Sequence, residues 1–164
     1  MCRAFGIEGA PKRTDGTGGP ARGLAVVHAG GDLMGTVPLL ADAEADPAAL
    51  VVFDDIRARR GTDYVNNFWR ALAHDPALLA ATWGRVQTVM APGALDPLVK
   101  EMVYMAVSTA NGCGYCVHSH TAAARAKGMA PAMHGELLAV IAMASQTNAL
   151  ATALAVEIDE RFKE

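Results

Sequence analysis

Cysteine, aromatic residues and long apolar runs are all scarce in this chain, and each scarcity closes off a class of protein. Three cysteines in 164 residues is a small and odd number, and MCRAFGIEGAPKRTDG offers no apolar leader run, so a secreted disulfide framework is not expected. The longest apolar runs, such as LLAVIAMA at 137–144, are too short to span a bilayer and read as buried helix. Basic runs are missing too. With 14 Lys and Arg against 17 Asp and Glu, the net charge of −3 argues against nucleic acid or an anionic membrane as the main partner. No glycine-rich phosphate loop follows a strand, and no flavin, nicotinamide or metal site is visible, so no cofactor is expected. Alternating strand patterns and solenoid-length repeats are likewise absent.

What is present is a chain 52% hydrophobic and 19% charged, long enough for one well-packed domain and short for two. Residues 1–33 stand apart: GAPKRTDGTGGPARG is rich in glycine, proline and charge, and reads as a flexible or irregular extension preceding a domain over 34–164. Within that domain the punctuation is helical. Asp46-Pro47, Asp75-Pro76 and Asp96-Pro97 each set an N-cap acceptor before a first-turn proline, the favoured order at a helix start. The expected helices run from about Pro47 to Arg60 with Gly61 as the stop, Tyr64 to Ala73, Pro76 to about Met90, 97–110, and 113–127 ending at Gly128. Two more follow near 131–144 and 147–162. The expectation is an all-α bundle of about six to seven helices, with Leu50, Phe53, Phe68, Trp69, Leu72, Leu79 and Trp83 as its large core residues. The wide apolar surface of the late helices suits either core or a subunit interface.

Chemistry is concentrated between Glu101 and His120, in EMVYMAVSTANGCGYCVHSH. If a helix begins near Cys113, Cys116 lies one turn on and His120 four residues further on the same face. Unpaired N–H groups at the helix start favour a thiolate there, and two cysteines three apart can close into a disulfide with little backbone movement. Leu98, Met102, Met105 and Thr109 follow helical spacing in the preceding segment, with Glu101, Tyr104 and Ser108 on an adjacent stripe. Burying a carboxylate on such a helix requires a partner or a proton. Two readings stay open: Glu101 facing the dithiol and His120 across the Asn111-Gly112 turn, or a solvent-facing Glu101 beside Lys100.

The pair also fits a zinc half-site, for which Cys113, Cys116 and His120 give three ligands and His118 or Glu101 a fourth, but no second Cys-x-x-Cys accompanies it. A c-type haem is excluded because Val117 follows Cys116. His118, two residues past Cys116, points elsewhere on the helix and is secondary. Tyr115 and Ser108 are candidates to donate hydrogen bonds within the site. Cys2, His28, His74 and His134 have no partner pattern.

Glu101, eleven intervening residues, then Cys113-x-x-Cys116-x-x-x-His120 resembles the signature of the AhpD-like alkylhydroperoxidases within the carboxymuconolactone decarboxylase superfamily. The similarity extends upstream through DYVNNFWRALAHDPALLAATW and downstream to KGMAP, and MGTVPLL at Met34 resembles a typical family start. The resemblance implies an AhpD-like helical fold assembling as a homo-oligomer, a trimer or hexamer. It also implies a cytoplasmic thiol-dependent peroxidase that reduces alkyl hydroperoxides with electrons from a thiol or dithiol, of lipoyl type or on a redox protein. In that family pattern Cys116 attacks the peroxide, His120 takes the thiol proton with Glu101 as the ultimate base, and Cys113 resolves the sulfenic acid and meets the reductant. One departure is visible. The best-known peroxidase branch carries a histidine just before the second cysteine, where this chain has Tyr115. The remaining alternatives are a zinc-binding protein, a decarboxylase-like lyase, which would have no use for a dithiol, and a non-catalytic oligomeric scaffold.

Overall fold

The computed structural model describes residues 35–163; the expectations for the 1–33 extension, and with them Cys2 and His28, lie outside the described residues. Among the described residues the fold is all-helical, as the punctuation predicts, with six α-helices, α1 Pro47–Arg60, α2 Asn67–Leu72, α3 Pro76–Met90, α4 Pro97–Ala110, α5 Gly114–Ala126 and α6 Pro131–Ala153, and 3-10 turns at Asp42–Glu44 and Glu160–Phe162.

The Asp-Pro device works at all three sites. Asp46, Asp75 and Asp96 each accept backbone N–H bonds from the first turn of their helix while proline occupies its first position, so two of the groups a helix start leaves unpaired are settled locally. Helix α2 is shorter than expected. Asn66 is its N-cap, so Tyr64 stays outside the helix, while Val65 is fully buried beneath it.

Helices α1, α2 and α3 enclose the larger core, in which Phe53, Ile56, Leu79, Trp69 and Trp83 are buried. The rings of Trp69 and Trp83 meet edge to face at 5.2 Å. Asp55 on α1 clamps α3 by accepting the Trp83 indole N–H at 2.6 Å and the Gln87 amide at 2.7 Å. Leu50 and Leu72 pack at the margin, and Phe68, expected in the core, is instead exposed with its ring edge-on to Trp69. Helices α4, α5 and α6 form the second group around Met105, Ala124 and Met129, with Leu98, Met102, Met133 and Leu137 packed alongside.

A single helix, α6, stands where two were expected. The polar run Ser145-Gln146-Thr147 does not break it, because the Ser145 hydroxyl donates to the Ile141 carbonyl at 2.8 Å and Thr147 donates to that of Met143 at 3.0 Å; both hydroxyls are absorbed by the helix they interrupt. The helix stops at Ala153, well before the expected 162.

Candidate functional site

The turn between α4 and α5 places the dithiol. Gly112 adopts φ 68°, its N–H bonds to the Thr109 carbonyl and the Cys113 N–H to that of Ser108, the paired closure that ends a helix in a left-handed residue. Cys113 then serves at once as the N-cap of α5, its sulfur accepting the Cys116 N–H at 3.3 Å. A sulfur so placed sits where unpaired N–H groups and the helix dipole favour negative charge. Cys113 and Cys116 are joined in a disulfide across a Cα separation of 5.3 Å.

On the facing helix Glu101 is buried, 5% exposed. One carboxylate oxygen, Oε2, lies 2.6 Å from His120 Nδ1, and the other, Oε1, accepts from Lys127 Nζ at 2.9 Å. Lys100, the alternative neighbour read from sequence, instead donates to the Val89 and Ala91 carbonyls at the end of α3. Burial pushes the Glu101 carboxyl up, but the hydrogen bonds from His120 and Lys127 and their charges outweigh it, leaving the carboxyl below its ordinary value. The group is thus a carboxylate at neutral pH, held by two partners on α5 or its C-cap. The His120 ring is fixed on a second side by Tyr104 on α4, stacked with centroids 3.6 Å apart and planes 17° from parallel. Carboxylate and ring stack together leave the imidazole little rotational freedom, and Nε2 remains its second functional nitrogen.

A shallow cavity of about 280 Å³ opens over the disulfide, lined by Tyr104, Val107, Ser108, Asn111, Cys113 and Cys116. Ser108 is therefore at the site, buried in its wall. Tyr115 is engaged elsewhere. Its hydroxyl accepts the Phe68 N–H at 3.2 Å and its ring approaches Phe68, so it ties α5 to the start of α2. His118 is exposed on the outer face of α5. Arg60 lies over the Trp69 and Trp83 rings at 5.9 and 5.2 Å, where burial lowers its proton affinity although the Glu101 carboxylate acts on it in the opposite sense.

Sequence reasoning did not single out Lys127 or Tyr104 for the site. Tyr104 was legible as a member of the Glu101 stripe, three residues on. Lys127 sits seven residues past His120, two helical turns along the same face, a spacing that marks it as a possible second partner for a carboxylate facing that stripe. Among the described residues no group of three or more His, Cys, Asp or Glu side chains converges as a metal cage, and no helix is long and apolar enough to cross a membrane.

Residues 76–157 match the family model of the carboxymuconolactone decarboxylase family. The chain is 41% identical over 75 residues to the alkyl hydroperoxide reductase AhpD of Solibacter usitatus, a match covering 46% of this chain and only 40% of that relative. It is also similar to the crystal structure of the alkylhydroperoxidase AhpD core from Rhodospirillum rubrum, with a TM-score of 0.78 and 63% identity over 80% of this chain and 98% of that one.

Proposed function

This chain belongs to the carboxymuconolactone decarboxylase family, as an AhpD-like member, and from that premise we propose that it is a thiol-dependent peroxidase reducing alkyl hydroperoxides through Cys113 and Cys116. The observation that carries the reading is the juxtaposition of a closed Cys-x-x-Cys pair at a helix start with a buried carboxylate–imidazole pair 2.6 Å apart, its histidine one turn beyond Cys116. A dithiol beside a proton acceptor is what two-electron peroxide reduction needs.

In the reduced protein the Cys116 thiol passes its proton to His120, whose ring Glu101 orients. The Cys116 thiolate attacks the distal oxygen of the hydroperoxide; the S–O bond forms as O–O breaks, and the alkoxide takes a proton and leaves as alcohol. Cys113 then attacks the sulfenic sulfur, forming the disulfide and releasing water. A thiol of an external dithiol, of lipoyl type or on a redox protein, attacks Cys113 and releases Cys116 as a thiol. The reductant's second thiol frees Cys113 and departs as a disulfide. Such reductants are available in the cytoplasm, where the protein is placed in this reading. The exposed apolar length of α6 supports assembly as a homo-oligomer, a trimer or hexamer. A decarboxylase-like lyase would make no use of the dithiol, and a zinc site would find its candidate fourth ligand Glu101 already committed to His120 and Lys127.

The test is peroxide-dependent loss of free thiols in the reduced protein, with metal content measured on the same sample. Wild type should lose two thiols to an intramolecular disulfide, Cys113→Ser should accumulate a sulfenic acid, and Cys116→Ser should resist peroxide. Thiols inert to peroxide together with stoichiometric zinc would replace the peroxidase by a metal site.

A further inference from the structure

One face of α4 carries more than the steps above use. Lys100, Val103, Tyr104, Val107, Ser108 and Asn111 recur at three- and four-residue spacing and so share a stripe, on which Val103, Tyr104 and Val107 are exposed. The cavity over the disulfide takes in the end from Tyr104 to Asn111. A second cavity, of about 420 Å³, takes in the other end, where Met90, Leu95, Lys100 and Val103 line it, and Tyr104 lines both. The two therefore meet at the ring that stacks on His120. The groove they form is apolar along its length and has a cation at its far end. The Lys100 ammonium donates to the Val89 and Ala91 carbonyls at 2.8 and 2.5 Å, two neutral acceptors for a group with three N–H donors. Among the described residues it forms no ion pair, and the Asp96 carboxylate, one turn before it, accepts the Leu98 N–H. At about 1.5 Å per helical residue, Ser108 in the wall of the disulfide cavity stands about 12 Å along the axis from Lys100.

We propose that this groove holds the carbon chain of a carboxylated hydroperoxide, with the peroxide at the sulfurs, the chain along Val107, Tyr104 and Val103, and the carboxylate on the remaining N–H of Lys100. The substrate class is a fatty-acid hydroperoxide whose peroxide lies about 12 Å from its carboxylate. The proposal rests on the peroxidase reading for its chemistry and goes beyond it in saying which alkyl hydroperoxide is taken. Charge complementarity selects the occupant. A neutral chain would cover the valines but leave the ammonium short of a charged acceptor, whereas a carboxylate completes its bonds with a charge-assisted one. A small inorganic anion would find no further donor along the apolar stripe. A second copy seated on the stripe would close the cavity over the sulfurs and shut peroxide out.

Binding is read first with linoleic acid, which carries no peroxide, against its methyl ester, by NMR of valine methyl and tyrosine ring signals in the full-length protein. The acid should shift Val103, Tyr104 and Val107 and bind about tenfold more tightly than the ester, the factor that a hydrogen bond to a charged group supplies. Lys100→Met keeps an apolar stem and should bring the acid down to the level of the ester; should that protein not fold, the acid-to-ester ratio in wild type decides alone. Acid and ester bound equally in wild type, or shifts confined to another face, overturn the proposal. A stripe that neither ligand reaches overturns it too, and a lower sedimenting mass for Val103→Asp would then assign the stripe to a second copy. Reduced wild type should next form its disulfide about tenfold faster with linoleic acid hydroperoxide than with the hydroperoxide of the ester, each rate taken relative to hydrogen peroxide, and Lys100→Met should erase that ratio. Thiols inert to every peroxide, hydrogen peroxide included, would end the peroxidase reading, and the linoleic acid result would still decide the groove.

Discussion

The two helical groups of this molecule are built to different standards of burial. Around α1, α2 and α3 nine residues are buried; Phe53, Ile56, Leu79 and Val65 exclude solvent completely, and Trp69 and Trp83 form an indole pair in edge contact. Around α4, α5 and α6 only Met105, Ala124 and Met129 are buried among apolar residues, and no residue of α6 is buried at all. Yet the second group holds the buried carboxylate, the constrained histidine and the dithiol. An aromatic core keeps itself dry within one subunit. A group whose core is methionine and alanine leaves an apolar helix open on its outside.

The sharpest way to break that contrast is Val140→Asp at the middle of α6, where Val140 is 64% exposed. If a second copy covers the helix, the substitution buries a carboxylate without a partner, at about 3–5 kcal/mol for each such charge, and the protein should sediment as single subunits. If α6 faces water, mass and melting temperature should barely change, since an exposed substitution shifts stability by about 0.5 kcal/mol or less. Phe53→Ala probes the other side. Phe53 is fully buried among α1–α3 residues, so the loss should be about 3–5 kcal/mol by urea titration, whatever the state of α6.

Between these lies Glu101, the charge the weaker-packed group contains. Its folded carboxyl sits below the ordinary value because His120 and Lys127 stabilise the anion. The stability it contributes is therefore present above the unfolded-state value, about pH 4.3, and is lost as pH falls through the folded one. Wild type should lose about 1.5–3 kcal/mol on this account, the range for hydrogen bonds to a charged group, in unfolding curves recorded from neutral pH into the acid range. Glu101→Gln should be weaker at pH 7 and should show a flatter acid slope.

The same contrast governs what the sequence disclosed. Each Asp-Pro start was legible because the signal is local: an acceptor, a proline, and an N–H to satisfy. The Glu101–His120 encounter was legible as one of two arrangements because periodicity puts both residues on stripes that an Asn-Gly turn can fold together. Which arrangement holds depended on Lys100, and that lysine is drawn off by the Val89 and Ala91 carbonyls, a tertiary contact no spacing announces. Phe68 misled for a related reason. Its neighbours on the helix are core residues, but the short α2 turns it outward, where its backbone N–H holds the Tyr115 hydroxyl. Tyr115 was accordingly read toward the site from its place between the cysteines, while its hydroxyl is occupied in joining the two helical groups.

The end of α6 shows how a missing signal misleads as well. Helices α4 and α5 stop at Gly112 and Gly128, both with positive φ, and both stops were visible. Helix α6 stops with the same bonding, Ala155 N–H to the Thr152 carbonyl and Val156 N–H to that of Ala151, but the left-handed position is filled by Ala155 at φ 46°. Alanine carries no mark of a helix end, so the sequence read on to 162. An alanine there also bears a steric penalty that glycine escapes. Ala155→Gly should therefore raise stability by about 0.5–1 kcal/mol, readable as a small upward shift in melting temperature with the thiol chemistry unchanged. A loss of stability would mean that the Ala155 methyl group is covered, which would tie this terminus to a surface beyond the end of its own helix.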